Sequence, residues 1–145
     1  MLLEALDDQE LLAQLFEQAD GDLAETATEY GGVLDRDRVG RWQALLYKPL
    51  LRRGDRVFVP PAIMIERLYS GLYHYHFHAQ QHDNGSFAGP GKGDLGLAGR
   101  LGFNFVIFTF VDADHLNADY HQANGVVIDM GTFRRPSAGR NHVQD

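Results

Sequence analysis

The segment Leu72–Ala79, Leu-Tyr-His-Tyr-His-Phe-His-Ala, constrains this chain more than any other. His74, His76 and His78 alternate with Tyr73, Tyr75 and Phe77. A strand sends successive side chains to opposite faces, so strict alternation reads as β-structure. The three imidazoles then share one face and the aromatic rings share the other. An H-x-H pair at a strand end aims two neutral imidazoles at one metal ion. The plainer alternative is a half-exposed strand whose polar face is histidine by chance.

The chain of 145 residues fits one domain, and its 44% apolar content supports a packed core. Net charge is −7 with no basic stripe, so neither nucleic acid nor an anionic membrane surface is an expected partner. There is no cysteine, which excludes disulfides and thiolate sites. Any metal must be held by His, Asp or Glu. The acidic start, Met1-Leu-Leu-Glu-Ala-Leu-Asp-Asp, lacks the basic region of a signal peptide. No stretch approaches the roughly 20 apolar residues of a membrane span. The expectation is a cytoplasmic protein.

Residues 7–19 read as an amphipathic helix with Leu11, Leu12, Leu15 and Phe16 on its apolar stripe. Asp7 or Asp8 can cap it, and Asp20-Gly21-Asp22 should end it. Residues 28–34 read as a short strand, Asp35–Arg38 as a charged turn, and Trp42–Leu51 as a strand with an irregular end. Arg56–Val59 reads as a strand. Ala62–Tyr69, after Pro60-Pro61, reads as a helix. Residues 80–93 are glycine-rich and loop-like, and Leu95–Leu101 is weakly helical. Phe103–Val111 is apolar and β-prone, which predicts a central strand. Tyr120–Met130 reads as a hairpin turning at Ala123-Asn124-Gly125. Asp112, Asp114 and His115 read as an ordinary turn, His82 and Asp83 as solvated loop residues, His121 as surface or hairpin, and Trp42 as core or half-core. This order of elements predicts an α/β (α+β) domain around a mixed sheet.

A metal site needs a third ligand, and Asp94 is the best candidate. It follows the glycine-rich loop and precedes the weak helix, so its carboxylate can turn back toward the histidine strand. A helix N-cap would look the same in sequence. Two imidazoles and one carboxylate leave a fourth tetrahedral position for water, as catalytic zinc sites do. Such a site also needs a carboxylate to move the proton.

At this point the chain resembles a family. Glu29-Tyr-Gly-Gly-Val-Leu34 is similar to the E-x-G-G-x-L segment that opens the JAMM (MPN+) metalloprotease domain. In that family an H-x-H strand and a Pro-Ser-x-x-Asp-Leu element follow. Here His76-Phe-His78 and then Pro90-Gly-Lys-Gly-Asp94-Leu95 follow, in the same order. The resemblance covers residues 7–130. It implies zinc held by His76, His78 and Asp94, with Glu29 as general acid/base. It implies hydrolysis of amide or isopeptide bonds in a protein or peptide substrate, often at a ubiquitin-like C-terminus. It also implies a JAMM/cytidine-deaminase-like mixed sheet flanked by helices, in one domain over residues 1–133; the polar residues 134–145 read as a flexible tail.

The chain departs from the family's pattern in places. Gly91 stands where the family has a serine that helps stabilise the oxyanion. The gap from His78 to Asp94 is longer than usual, and Ala79 replaces a common proline. The register is open as well, because His74 and His76 form a second H-x-H pair. His76 and His78 are preferred because they lie nearest the strand end and Asp94. Two other readings compete. One is a degenerate JAMM-fold scaffold that binds metal without peptidase activity. The other is a cupin-type barrel, which is disfavoured because Gln80-Gln81 occupies the place of its glutamate.

Overall fold

A computed structural model describes residues 1–24, 30–47, 72–78 and 104–137. Among the described residues, two helices, α1 (Leu2–Leu6) and α2 (Gln9–Ala24), precede six strands. The strands are β1 (Gly31–Arg36), β2 (Trp42–Tyr47), β3 (Tyr73–His78), β4 (Phe105–Asp112), β5 (His115–His121) and β6 (Val127–Arg134). They form one mixed sheet in the order β2-β1-β3-β4-β5-β6. Only the β3–β4 pair is parallel; every other neighbour is antiparallel. The coarse expectation of a mixed sheet with helices holds. The predicted strand Arg56–Val59, helix Ala62–Tyr69, loop 80–93 and helix Leu95–Leu101 lie outside the described residues.

Alternation in β3 decides which residues face the helices. Tyr75 and Phe77 join Leu6, Leu11, Leu15, Phe16 and Ala19 in the main core, together with Val106, Phe108 and Phe110 of β4. Each large side chain buried there contributes about 1.5–3 kcal/mol. β4 is buried from Phe105 through Phe110 and is central, as its apolar run predicts.

The N-terminal helix is longer than its punctuation suggests. Asp8 caps α2, its Oδ1 accepting the N–H groups of Glu10 and Leu11 at 2.9 and 3.0 Å. Asp7 instead closes α1. Asp20-Gly21-Asp22 does not end α2, which runs to Ala24. Asp22 follows Leu15 and Ala19 on the buried stripe and is itself fully buried. Its Oδ2 accepts the Tyr30 N–H at 2.8 Å, so a carboxylate that looked like a helix stop is a tie to β1.

The charged turn is displaced for a similar reason. Asp35 and Arg36 continue β1, and the chain reverses over Asp37–Arg41. The Asp37 carboxylate accepts the Val39 and Arg41 N–H groups, and Gly40 takes φ +85°. At the other end of the chain, β5 begins at His115, so what read as a turn opens a strand. The hairpin to β6 turns at Gly125, φ +91°, close to the predicted place. Arg134, assigned by sequence to the tail, closes β6. Arg135 is also held within the fold. It donates to both Asp20 carboxylate oxygens at 2.7 and 3.0 Å and lies 4.7 Å over the Phe16 ring.

Candidate metal centre

The strand registers assemble one polar face opposite the helices. Three rows of side chains cross it. The first is His74, Phe105, His121 and Val127; the second is His76, Ile107, Asp119 and Asp129; the third is His78, Thr109, Asn117 and Thr132. A bulge in β6 makes the third row. Asp119 pairs with Asp129 but Ala118 pairs with Gly131, so Met130 is skipped and Thr132 returns to the histidine face. Gly131 takes φ +102° there, and its N–H donates to Asp129 Oδ1.

The three histidines share this face, as their alternation predicts, but not one environment. His74 is buried, with its ring 4.0 Å from Phe105, and Phe105 stacks in turn on His121 at 5.5 Å. Burial, then the neighbouring His76 and His121, hold the His74 imidazole well below the usual histidine range. His121 ends β5 at the hairpin, one of the two places expected of it, but is fully buried and not at the surface. His76 is fully buried, and His78, at the end of β3, is half-buried. The aromatic end of the face is thus at the start of β3, and the polar end is where β3 finishes.

Ring spacing separates the two candidate ligand pairs. The His76 and His78 ring centroids are 5.5 Å apart, and those of His74 and His76 are 6.3 Å apart. Two imidazoles on one tetrahedral ion have centroids about 5 Å apart, given metal–nitrogen bonds of about 2.0–2.1 Å. The His76–His78 pair fits that spacing more closely. Among the described residues, no three His, Cys, Asp or Glu side chains stand close enough together to hold a metal. The other expected site residues, Glu29, Gly91 and Asp94, lie outside the described residues.

The residue joined to Glu29 is nevertheless fixed. The Tyr30 carbonyl accepts the Phe77 N–H at 3.0 Å, and the Tyr30 N–H donates to buried Asp22. Phe77 stands between His76 and His78. Gly31, next along, pairs with His76.

Sequence reading missed Asp22, Thr109, Asn117 and Asp119. Asn117 Nδ2 donates to Asp119 Oδ2 at 3.0 Å, and both residues are buried. Burial, then repulsion from Asp129, raises the Asp119 carboxyl above its usual range; the Asn117 amide and His78 act against that rise. The signal was present. His115-Leu-Asn-Ala-Asp-Tyr-His121 alternates polar and apolar residues in the same way as the histidine strand.

Compared with known protein families, curated proteins and solved structures, the chain matches none. Among the described residues no helix is long and apolar enough to cross a membrane.

Proposed function

We propose that this protein is a zinc-dependent hydrolase of amide or isopeptide bonds, acting on a protein or peptide substrate such as a ubiquitin-like C-terminus. The supporting observation is the His76–His78 pair, with rings 5.5 Å apart at the end of a strand whose Phe77 N–H is bonded to the residue following Glu29. In this reading His76, His78 and Asp94 hold zinc. The ion supplies a Lewis acid for the scissile carbonyl and lowers the pKa of a water to about 7. Glu29 would be the general acid/base, taking a proton from the attacking water and passing it to the leaving amine. The Asp22–Tyr30 and Tyr30–Phe77 bonds tie Tyr30, the residue after Glu29 in sequence, to α2 and β3. His74 packs against Phe105 and serves the fold in this reading.

Gly91 favours a second reading, a JAMM-fold scaffold that binds zinc without appreciable turnover. An oxyanion donor is worth about 10²–10³ in rate, and glycine brings no side chain to donate. Metal analysis of the purified protein, with His78→Ala and Glu29→Gln alongside, tests both readings. About one zinc per chain, lost in His78→Ala and kept in Glu29→Gln, is expected of either. Peptide or isopeptide cleavage by wild type, absent in Glu29→Gln, selects the hydrolase. A wild-type protein that takes up no zinc ends both.

A further inference from the structure

Thr109 is out of place in its strand. It is the one polar residue in the run Phe105-Val-Ile-Phe-Thr-Phe-Val111 and is fully buried. Its hydroxyl has no hydrogen-bond partner among the described residues. A buried unpaired hydroxyl costs stability that valine, of nearly the same shape, would not.

Its neighbours narrow the role. In the parallel β3–β4 pair Thr109 stands opposite His78, and in the β4–β5 pair opposite Asn117. Asn117 is engaged elsewhere. Its amide nitrogen donates to Asp119 Oδ2 at 3.0 Å, and its Oδ1 accepts from Thr132 Oγ1 at 3.4 Å. On the other side is the His78 imidazole. A histidine that binds metal through one ring nitrogen carries a proton on the other, and that N–H needs an acceptor to fix tautomer and orientation.

We infer that Thr109 is a positioning residue for His78: when metal binds, Thr109 Oγ1 accepts the hydrogen bond from the non-ligating ring N–H of His78. This rests on the zinc reading above. Thr109 in this role contributes to metal affinity and not to the stability of the fold without metal.

The test compares wild type, Thr109→Val, Thr109→Ser and His78→Ala. Zinc affinity is measured by competition with a chromophoric chelator, and apo stability by urea unfolding. Thr109→Val should bind zinc about 10–100-fold more weakly, the usual cost of losing an outer-shell partner. Thr109→Ser, which keeps the hydroxyl, should stay within a few-fold of wild type. The apo Thr109→Val protein should be at least as stable as wild type, which separates lost orientation from lost folding. Should valine prevent folding, Thr109→Ala replaces it with the same affinity loss expected. Nitrogen-15 NMR of the loaded protein should show one His78 tautomer in wild type and a mixture in Thr109→Val. Equal zinc affinity in Thr109→Val and wild type, with binding lost in His78→Ala, overturns the role of Thr109 and leaves the metal site standing. No zinc binding by wild type overturns both.

Discussion

Gly32 of β1 and Tyr75 of β3 are register partners, and the tyrosine hydroxyl occupies the space a side chain at Gly32 would need. A Cβ at Gly32 would lie 2.7 Å from Tyr75 Oη and would overlap the Leu45 carbonyl oxygen. The hydroxyl is held there by Gln18 of α2, whose side-chain oxygen accepts its hydrogen bond. The second glycine of Glu29-Tyr-Gly-Gly is therefore fixed by packing between helix and sheet, apart from any chemistry. Gly32→Ala should destabilise the fold by at least about 1–3 kcal/mol, the range of overpacked cores. Urea denaturation measures it, and a loss below a few tenths of a kcal/mol would contradict the close approach.

The two H-x-H pairs predict opposite outcomes for two substitutions. His78 is half-buried at the strand end, so His78→Ala should abolish zinc uptake with little loss of stability. His74 is packed 4.0 Å from Phe105, so His74→Ala should cost about 2–4 kcal/mol, as large-to-small core changes do, while keeping zinc. If His74→Ala loses the metal and His78→Ala retains it, the ligand pair has been assigned one register too late.

Glu29→Gln should keep zinc and lose most turnover, because the ligands remain while the general base is gone. In the same assay Gly91→Ser should raise any activity by up to about 10²-fold, the scale of one oxyanion donor. Single-turnover cleavage at saturating zinc checks both. Cleavage by Glu29→Gln at the wild-type rate would transfer the proton-handling role to another group.

Buried His74 makes the fold acid-sensitive. Its folded pKa lies well below 6.5, so as pH falls through that value the unfolded chain gains a proton that the folded chain does not. Stability is therefore complete above this range and falls as pH drops toward the folded pKa, by at most about 1.4 kcal/mol per unit for one histidine. Raised Asp119 acts in the opposite sense, because there the folded state holds its proton longer. Urea midpoints taken with chelator present between about pH 7.5 and 5.5 should decline. His74→Leu should flatten that decline.

Arg135 links the end of the described chain to the helices. It bonds both Asp20 carboxylate oxygens and the Ala113 carbonyl, and stacks over Phe16. Arg135→Ala should cost about 1–2 kcal/mol, between an exposed ion pair and a hydrogen-bonded charge. Lysine should restore only part of this, since it lacks the planar fork. A chain ending at residue 133 should melt below full length, and equal melting temperatures would show the link to be dispensable.

The sequence by itself determined the periodic elements. Alternation over Tyr73–His78 set the strand and its two faces, the apolar run set β4 as central, and the leucine stripe set α2. These follow from local geometry, in which a period of 2.0 or 3.6 is written into each segment. Local punctuation misled where a polar residue had a distant partner. Asp22 read as a helix stop because its Tyr30 partner joins it only in the fold. Asp112, Asp114 and His115 read as a turn because the polar face that His115 opens has value only beside β4. The tertiary structure alone decided that Thr109, Asn117 and Asp119 stand in rows with His76 and His78, since pairing register between strands far apart in sequence is fixed by packing of both faces at once. It also set the ring separations of the two histidine pairs, 5.5 Å for His76–His78 and 6.3 Å for His74–His76, which equal spacing in sequence does not distinguish.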